Sequence, residues 1–209
     1  MIRNVLVFGA TGKTGNLICS ELESKNISYS VFLRENSEHK FKLASTKIKR
    51  GDVLDKLDVE NAFKNENFTD VIIALGSKQL RNSDIRSRGT HNIIEALKKN
   101  QSKPCIHLIS ALGVGNSWSQ LKWHAKLLSN LFLKSVMNDH TKQEELVQNN
   151  TFPYHILRPV GLKNGPSKGK VIVQNEGFIP GNYIQRIDVA KFLVESLIDN
   201  KTGVSGICQ

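Results

Sequence analysis

Residues 5–15 read VLVFGATGKTG and decide the fold. The apolar run of residues 5–8 has no polar alternation, which is typical of a strand buried on both faces of a parallel sheet. The run stops at Gly9, and glycines recur at positions 12 and 15, where a helical pattern begins. A strand, a glycine-rich turn and a helix in this order predict a phosphate-binding loop at the first strand-to-helix junction of an α/β sheet.

The three glycines of this loop have separate physical tasks. Gly9 allows a tight turn, Gly12 lets the backbone approach a pyrophosphate, and Gly15 lets the helix pack closely on the strand. The unpaired amides of the helix N-terminus then face the phosphates. We therefore predict that a dinucleotide binds to this loop, at Gly9, Thr11, Gly12, Lys13, Thr14 and Gly15.

A mononucleotide loop is an alternative interpretation of the same residues. Gly12-Lys13-Thr14 resembles the end of a P-loop, but that motif needs another glycine five positions before Gly12. Val7 stands at that position, inside the predicted strand. The sequence therefore excludes an ATPase or GTPase of the P-loop class.

Strand and helix patterns alternate along the rest of the chain. Further strands are predicted at residues 29–33, 51–53 (after Ile48), 71–75, 105–109, 154–157 and 170–173. Helices are predicted at 12–24, 56–64, 83–99, 119–149 with a break near 138–139, and 189–198. This order predicts an α/β fold, a doubly wound Rossmann-like parallel sheet with helices on both faces. We expect one domain over residues 1–209, with substrate loops in its C-terminal half.

Composition restricts the partners. The 29 Lys and Arg residues exceed the 19 Asp and Glu residues, giving a formal net charge of +10. This charge favours anionic partners, but it is scattered, and no aromatic platform or docking motif supports nucleic-acid binding. Cys19, Cys105 and Cys208 lack metal-ligand spacing and predict reduced thiols. We find no targeting or membrane-spanning segment, and we expect a cytoplasmic monomer or small homo-oligomer that acts on a small molecule.

The end of the second predicted strand selects the cofactor. An acid there would bind the ribose hydroxyls of NAD, whereas an arginine would bind the 2′-phosphate of NADP. Arg34 stands at that position, with Lys13 and Ser37 as further contacts, so NADPH is the expected cofactor. Glu35 follows directly and keeps NAD as the alternative.

Other strand ends complete the expected cofactor site. Asp52 is a candidate partner of the adenine amino group, with Val53 against the ring, although Asp52 is equally suited to cap the next helix. Leu75, Gly76 and Ser77 end the fourth strand, where small residues leave room for the ribose.

Taken together, these residues resemble the atypical short-chain dehydrogenase/reductase superfamily, in its NAD(P)H-binding, NmrA-like branch. Within it the chain is most similar to the small flavin reductase/biliverdin reductase B type. The resemblance rests on residues 8–15 (FGATGKTG), Leu33-Arg34, 51–53 (GDV), Ser110-Ala111, Asp139-His140 and 154–159 (YHILRP). It implies that Ser110 lies beside the nicotinamide, and that residues 112–115 (LGVG) form a mobile substrate loop.

Two departures from the superfamily pattern bear on chemistry. Classical members use a Tyr-x-x-x-Lys pair, in which the tyrosine donates the proton and the lysine lowers the pKa of the tyrosine and holds the ribose. Lys142 is a candidate for the lysine, on an inward stripe with Leu146, but Asn138 stands where the tyrosine would be. The histidine that the flavin reductases carry after the sixth strand is also missing, because Val160-Gly161 follows Pro159. His124 and His140 are the remaining candidate acids, although packing roles explain both.

The resemblance implies an oxidoreductase that uses NADPH to reduce a flat, conjugated acceptor such as a flavin or a quinone. Simple ketones and tetrapyrroles are disfavoured by the two departures. The alternative is a non-catalytic, NmrA-like sensor that binds NADP(H) and acts through a protein partner.

Overall fold

The computed structural model describes residues 2–41, 47–77, 84–101, 103–121 and 133–209. Its strands are β1 Asn4–Phe8, β2 Ser28–Leu33, β3 Lys47–Arg50, β4 Asp70–Ile73, β5 Cys105–Ile109, β6 Tyr154–Pro159, β7 Gly161–Lys163, β8 Ile172–Val173, β9 Tyr183–Gln185 and β10 Gly203–Cys208. Its α-helices are α1 Lys13–Ser24, α2 Lys56–Phe63, α3 Ile85–Lys99, α4 Lys134–Gln148 and α5 Arg186–Ile198. Two 3₁₀ segments cover Glu35–Lys40 and Gly115–Gln120.

Eight strands form one sheet in the order β3-β2-β1-β4-β5-β6-β10-β8. Every pairing is parallel except that of β8 with β10. The chain runs outward from β1 to β3, then crosses back to β4 beside β1. In such sheets ligands bind at this crossover, outside the carboxyl ends of the strands.

A hydrophobic core lies on each face of this sheet. One core joins β1 to α1 and α5 through residues such as Ile18 and Leu193. The other packs α2, α3 and α4 on the opposite face, through residues such as Phe63, Ile93 and Val147. The doubly wound Rossmann-like architecture predicted from the sequence is confirmed.

The structure corrects several predicted elements. The third strand is Lys47–Arg50, before the predicted residues 51–53. α4 runs from Lys134 to Gln148 without the expected break near residues 138–139. The first part of the predicted 119–149 helix is a 3₁₀ segment, and residues 122–132, which include His124, lie outside the described residues. Strands β7, β9 and β10 were not predicted.

Candidate functional site

The glycine loop joins β1 to α1 at the crossover of the sheet. Gly9 has a positive φ of 86°, and a Cβ atom there would lie 2.3 Å from the carbonyl oxygen of Ala74, at the end of β4. A Cβ atom on Gly15 would lie 2.2 Å from the carbonyl oxygen of Gly9. Both positions require glycine because backbone touches backbone there. The loop is therefore held against the end of the neighbouring strand.

The outer side of this loop is open. Gly12 and Lys13 are exposed, and Thr11 and Thr14 are half-buried. No side chain among the described residues caps α1, and its first turn contains no acid. The amides and the positive end of the helix dipole are therefore available to an anion, which fits the pyrophosphate of a dinucleotide.

The end of β2 presents a cation to the same edge. Arg34 is exposed directly after β2. Arg50 at the end of β3 is also exposed, but its guanidinium forms two hydrogen bonds with Glu38, at 2.9 and 3.0 Å. Ser37, expected as a further phosphate contact, is instead buried and donates its hydroxyl hydrogen to Asn36 at 3.2 Å.

Asp52 forms a local turn and does not cap α2. Its carboxylate accepts a hydrogen bond from the amide of Leu54 at 2.9 Å. The helix is capped by Asp55, which accepts hydrogen bonds from the amides of Leu57 and Asp58. The helix-cap alternative for Asp52 is therefore wrong, and its adenine contact stays a prediction.

Val53 and Leu75 meet the start of α3 at a close contact. A Cβ atom on Gly89 would lie 2.9 Å from Val53 and 2.8 Å from Leu75, so this glycine lets the helix approach both side chains. A Cβ atom on Gly76, which follows, would have no other atom of the described residues within 4 Å, and Ser77 is half-buried. This space suits the ribose contact predicted at the end of β4.

Ser110 lies at the carboxyl end of β5, where its amide donates a hydrogen bond to Leu157 of β6 at 2.8 Å. The residue is 4% exposed, and its hydroxyl has no hydrogen-bond partner among the described residues. Buried hydroxyls are normally paired, so this one is suited to a ligand.

Arg158 lies across from Ser110, because the β5–β6 register pairs Ile109 with Leu157 just before them. Its guanidinium is buried and binds Glu144 of α4 through two nitrogens, with a shortest distance of 2.6 Å. A third nitrogen donates to Asn116 at 2.6 Å. The cluster therefore fixes the loop after Ser110 to α4. The sequence signal that could have revealed this cluster is a charged residue, Arg158, near the end of the buried strand β6.

Lys142 does not lie on the buried side of α4. That side consists of Asp139, His140, Gln143, Glu144 and Val147. Lys142 is exposed and lines an outer groove with His91 and Glu95 of α3, so the expected inward stripe is wrong. The structure does not bring Lys142 into the cluster around Ser110 and Arg158. Asn138, at the missing tyrosine position, is also exposed.

Asp139 and His140, which are neighbours near the middle of α4, have different roles. The Asp139 carboxylate accepts hydrogen bonds from the amides of Arg86 and Ser87, in the first turn of α3, at 3.2 and 2.9 Å. It also accepts one from the Ser87 hydroxyl at 2.7 Å. His140 is buried, and burial, followed by the charge of Arg86, lowers its pKa to about 3. A neutral imidazole at ordinary pH is not a proton donor of the imidazolium kind.

A separate polar cluster lies at the amino end of the sheet. Asp70, Cys105 and His107 bring possible metal ligands within 4.8 Å of one another, although their spacing in the sequence gives no such signal. The carboxylate of Asp70 is already bound by Arg3 at 2.9 Å, His107 at 2.9 Å and Thr69 at 2.7 Å. Burial, followed by the charge of Asp70, raises the pKa of the Cys105 thiol to about 11. A guanidinium and a protonated thiol both oppose a cation there.

A model of the family described as NAD(P)H-binding matches residues 9–200. The chain belongs to this NAD(P)H-binding family. The match includes the glycine loop, Arg34, Ser110 and the residues around Arg158. The predicted resemblance to NAD(P)H-binding proteins is thereby confirmed, while the NmrA-like and flavin reductase-like assignments stay predictions.

Curated and solved relatives extend this finding. An uncharacterised chloroplastic protein of Arabidopsis thaliana is 28% identical over 207 residues, which are 96% of this chain and 74% of that protein. ChuY of Escherichia coli O157:H7, described as an anaerobilin reductase, superposes with a TM-score of 0.82 at 23% identity, covering 98% of this chain and 96% of that one.

A wide-type short-chain dehydrogenase/reductase from Veillonella parvula, solved in complex with NADP, gives a TM-score of 0.81 at 16% identity, covering 100% and 95% of the two chains. At these identities the two solved structures share the fold with this member of the NAD(P)H-binding family.

No helix of the described residues is both long and apolar enough to cross a membrane. The cytoplasmic location stays a prediction.

Proposed function

We propose that this protein is an NADPH-dependent reductase of flat, conjugated acceptors of the flavin or quinone type. The observation that carries the proposal is the buried hydroxyl of Ser110, which has no hydrogen-bond partner in the described part of the chain. Ser110 lies at the end of β5, at the cofactor edge of the sheet. The fold shared with an anaerobilin reductase supports a conjugated acceptor in general. The open amides of α1 and the exposed Arg34 support NADPH as the cofactor.

The proposed reaction is a two-electron reduction. When bound, the cofactor supplies a hydride to the acceptor, and solvent supplies the balancing proton. Ser110 would orient the acceptor by a hydrogen bond to a ring nitrogen or a carbonyl oxygen. Positioned acid catalysis is worth about 10²–10⁴ in rate, and Asn138, where a proton-donating tyrosine would stand, is no such acid. Conjugated acceptors tolerate this lack because the reduced ring delocalises negative charge until solvent protonates it.

The test is the decay of NADPH absorbance with flavins, quinones, a linear tetrapyrrole and a series of ketones. We expect turnover of a flavin or a quinone and poor turnover of ketones. Ser110→Ala should lower kcat with the acceptor more than it weakens NADPH binding. Ser196→Ala is the matched control, because the buried Ser196 hydroxyl also has no hydrogen-bond partner among the described residues. Ser196 lies near the end of α5, far from the cofactor edge.

Two results would overturn the proposal. Fast ketone turnover would require a positioned acid that the proposal does not contain. Tight NADPH binding without turnover of any acceptor would favour a sensor that acts through a protein partner.

A further inference from the structure

The segment after β6 is rich in positive charge. Residues 161–191 contain five cations, Lys163, Lys168, Lys170, Arg186 and Lys191, against the two acids Glu176 and Asp188. None of these five cations forms an ion pair with a carboxylate in the part of the chain that the structure describes. Their charge is therefore available to a ligand.

The buried acid of this segment is used internally. The carboxylate of Asp188 accepts hydrogen bonds from the hydroxyl of Ser167, the amides of Lys168 and Gly169, and the side-chain amide of Gln209. These bonds fix the loop between β7 and β8 on the start of α5. None of these donors is a lysine ammonium group, so Asp188 forms no ion pair with a lysine side chain in the described part of the chain.

Two of the lysines converge on one aromatic ring. The ammonium nitrogens of Lys163 and Lys168 lie 4.0 and 4.7 Å from the ring centroid of Tyr183. Lys168 also donates a hydrogen bond to the Tyr183 hydroxyl at 2.8 Å. This hydrogen bond, followed by the charges of Lys168 and Lys163, lowers the pKa of the phenol. The neighbouring Arg186 is fixed beside β7 by hydrogen bonds to Leu162 and Asn164. We call Lys163, Lys168 and Arg186 the basic patch.

The basic patch adjoins the carboxyl edge of the sheet. β7 follows β6 after Val160 alone, and Tyr183 of β9 pairs with Gly161 of β7. The preceding strand end contains Arg158, which lies across from Ser110. In addition, the side-chain amide of Gln120 donates a hydrogen bond to the carbonyl oxygen of Asn175 at 2.9 Å. This bond joins the loop after Ser110 to the segment before β9.

We propose that the basic patch binds an acidic group of the acceptor, a phosphate or a carboxylate, so that the preferred acceptors are conjugated anions. This inference rests on the proposed function and specifies its substrate class. Lysine binds phosphate as a point charge, and a cluster of cations that form no ion pair raises the local concentration of an anionic ligand and its rate of association. The conjugated ring would lie at Ser110, with its acidic substituent directed toward β7 and β9.

The test compares three flavins that differ in one substituent: riboflavin without an acid, FMN with a phosphate and 10-carboxymethylflavin with a carboxylate. The variant is the double substitution Lys163→Gln and Lys168→Gln. The control is the double substitution Lys64→Gln and Lys103→Gln, which removes equal charge at the opposite, amino edge of the sheet. Lys64 directly follows α2, and Lys103 lies just before β5. KM and kcat are measured at low and high salt.

For the patch variant we expect the KM for FMN to rise about fivefold to tenfold at low salt, with a smaller rise at high salt because salt screens exposed charges. The KM for riboflavin and all kcat values should change less than about twofold, as should every value for the control. A similar rise for carboxymethylflavin would identify charge as the recognised feature, whereas a rise for FMN alone would identify phosphate.

Equal changes for FMN and riboflavin in the patch variant, or equal effects of patch and control variants, would overturn this inference and leave the proposed reductase intact. If the wild type reduces neither a flavin nor a quinone, the proposed function fails. Equilibrium binding followed by flavin fluorescence still tests the patch in that case, and also if only quinones are reduced. Tighter binding of FMN than of riboflavin, lost only in the patch variant, supports an anion site. Equal affinities refute it.

Discussion

Replacing Gly12 with valine should abolish cofactor binding while leaving the protein folded. The φ and ψ angles of Gly12 are −74° and 159°, an extended conformation that valine adopts readily. A Cβ atom there would lie 3.2 Å from the carbonyl oxygen of Gly9, a tight contact on an exposed loop. We expect a stability loss below about 1 kcal/mol, because reduced freedom of the unfolded chain offsets part of the strain. The added methyl groups would occupy the position of the pyrophosphate.

The assay is thermal unfolding with and without NADPH. Ligand at a hundredfold its Kd stabilises the folded state by about 2.7 kcal/mol. For a chain of this size each kcal/mol corresponds to about 2–4 °C in Tm, so the wild type should gain about 5–11 °C. Gly12→Val should melt within about 4 °C of the wild type and gain nothing from NADPH.

Gly15→Val is the matched control for this loop. Its Cβ atom would lie 2.2 Å from the carbonyl oxygen of Gly9, so the backbone itself must move. Overpacking of this kind costs about 3 kcal/mol or more, which lowers Tm by about 6–12 °C. If folded Gly12→Val shows the full increase of Tm with NADPH, our assignment of the phosphate site is refuted.

Three further predictions concern charged groups. Arg34→Ala should weaken NADPH binding about tenfold in calorimetry and leave the affinity for NADH nearly unchanged, since charge-assisted hydrogen bonds to phosphate are worth about 1.5–3 kcal/mol. Arg50→Ala is the control, and equal losses of affinity for both cofactors would contradict the assignment of Arg34 to the 2′-phosphate. Glu144→Gln should destabilise the protein by about 3–5 kcal/mol in denaturant unfolding, because it leaves the Arg158 guanidinium buried without its carboxylate; an unchanged midpoint would count against this. His140 has a folded pKa near 3 against about 6.5 when unfolded, so the unfolded state binds the extra proton and stability falls as pH drops from about 6.5 to 3. His140→Gln should reduce that loss in melts across this range, and parallel curves for both proteins would disprove it.

Local sequence signals predicted the centre of the fold well. β1, the glycine turn and α1 are encoded by neighbouring residues, and β5 was predicted with its observed limits. The peripheral strands were harder because pairing creates them. β3 is the charged sequence KIKR, and β10 includes Gly203 and Gly206, which disfavour a strand until β6 is present to pair with it.

The candidate site shows the same division between local and distant information. The open cofactor loop follows from consecutive residues, but the contact of Arg158 with Glu144 exists only once α4 packs on β6. The phase of α4 was assigned from Leu146, which is half-buried. The buried side of that helix is mostly polar, so a hydrophobic stripe could not reveal that Lys142 faces outward.

The carboxylate of Asp139 has a consequence for the order of events in folding. It satisfies the amides of Arg86 and Ser87, which no residue of their own helix can pair, from a position more than fifty residues later in the chain. The first turn of α3 is therefore incomplete until α4 docks. Hydrogen exchange at these two amides would report the docking of α4, and their protection would vanish whenever α4 separates from the sheet, even while the middle of α3 stays protected.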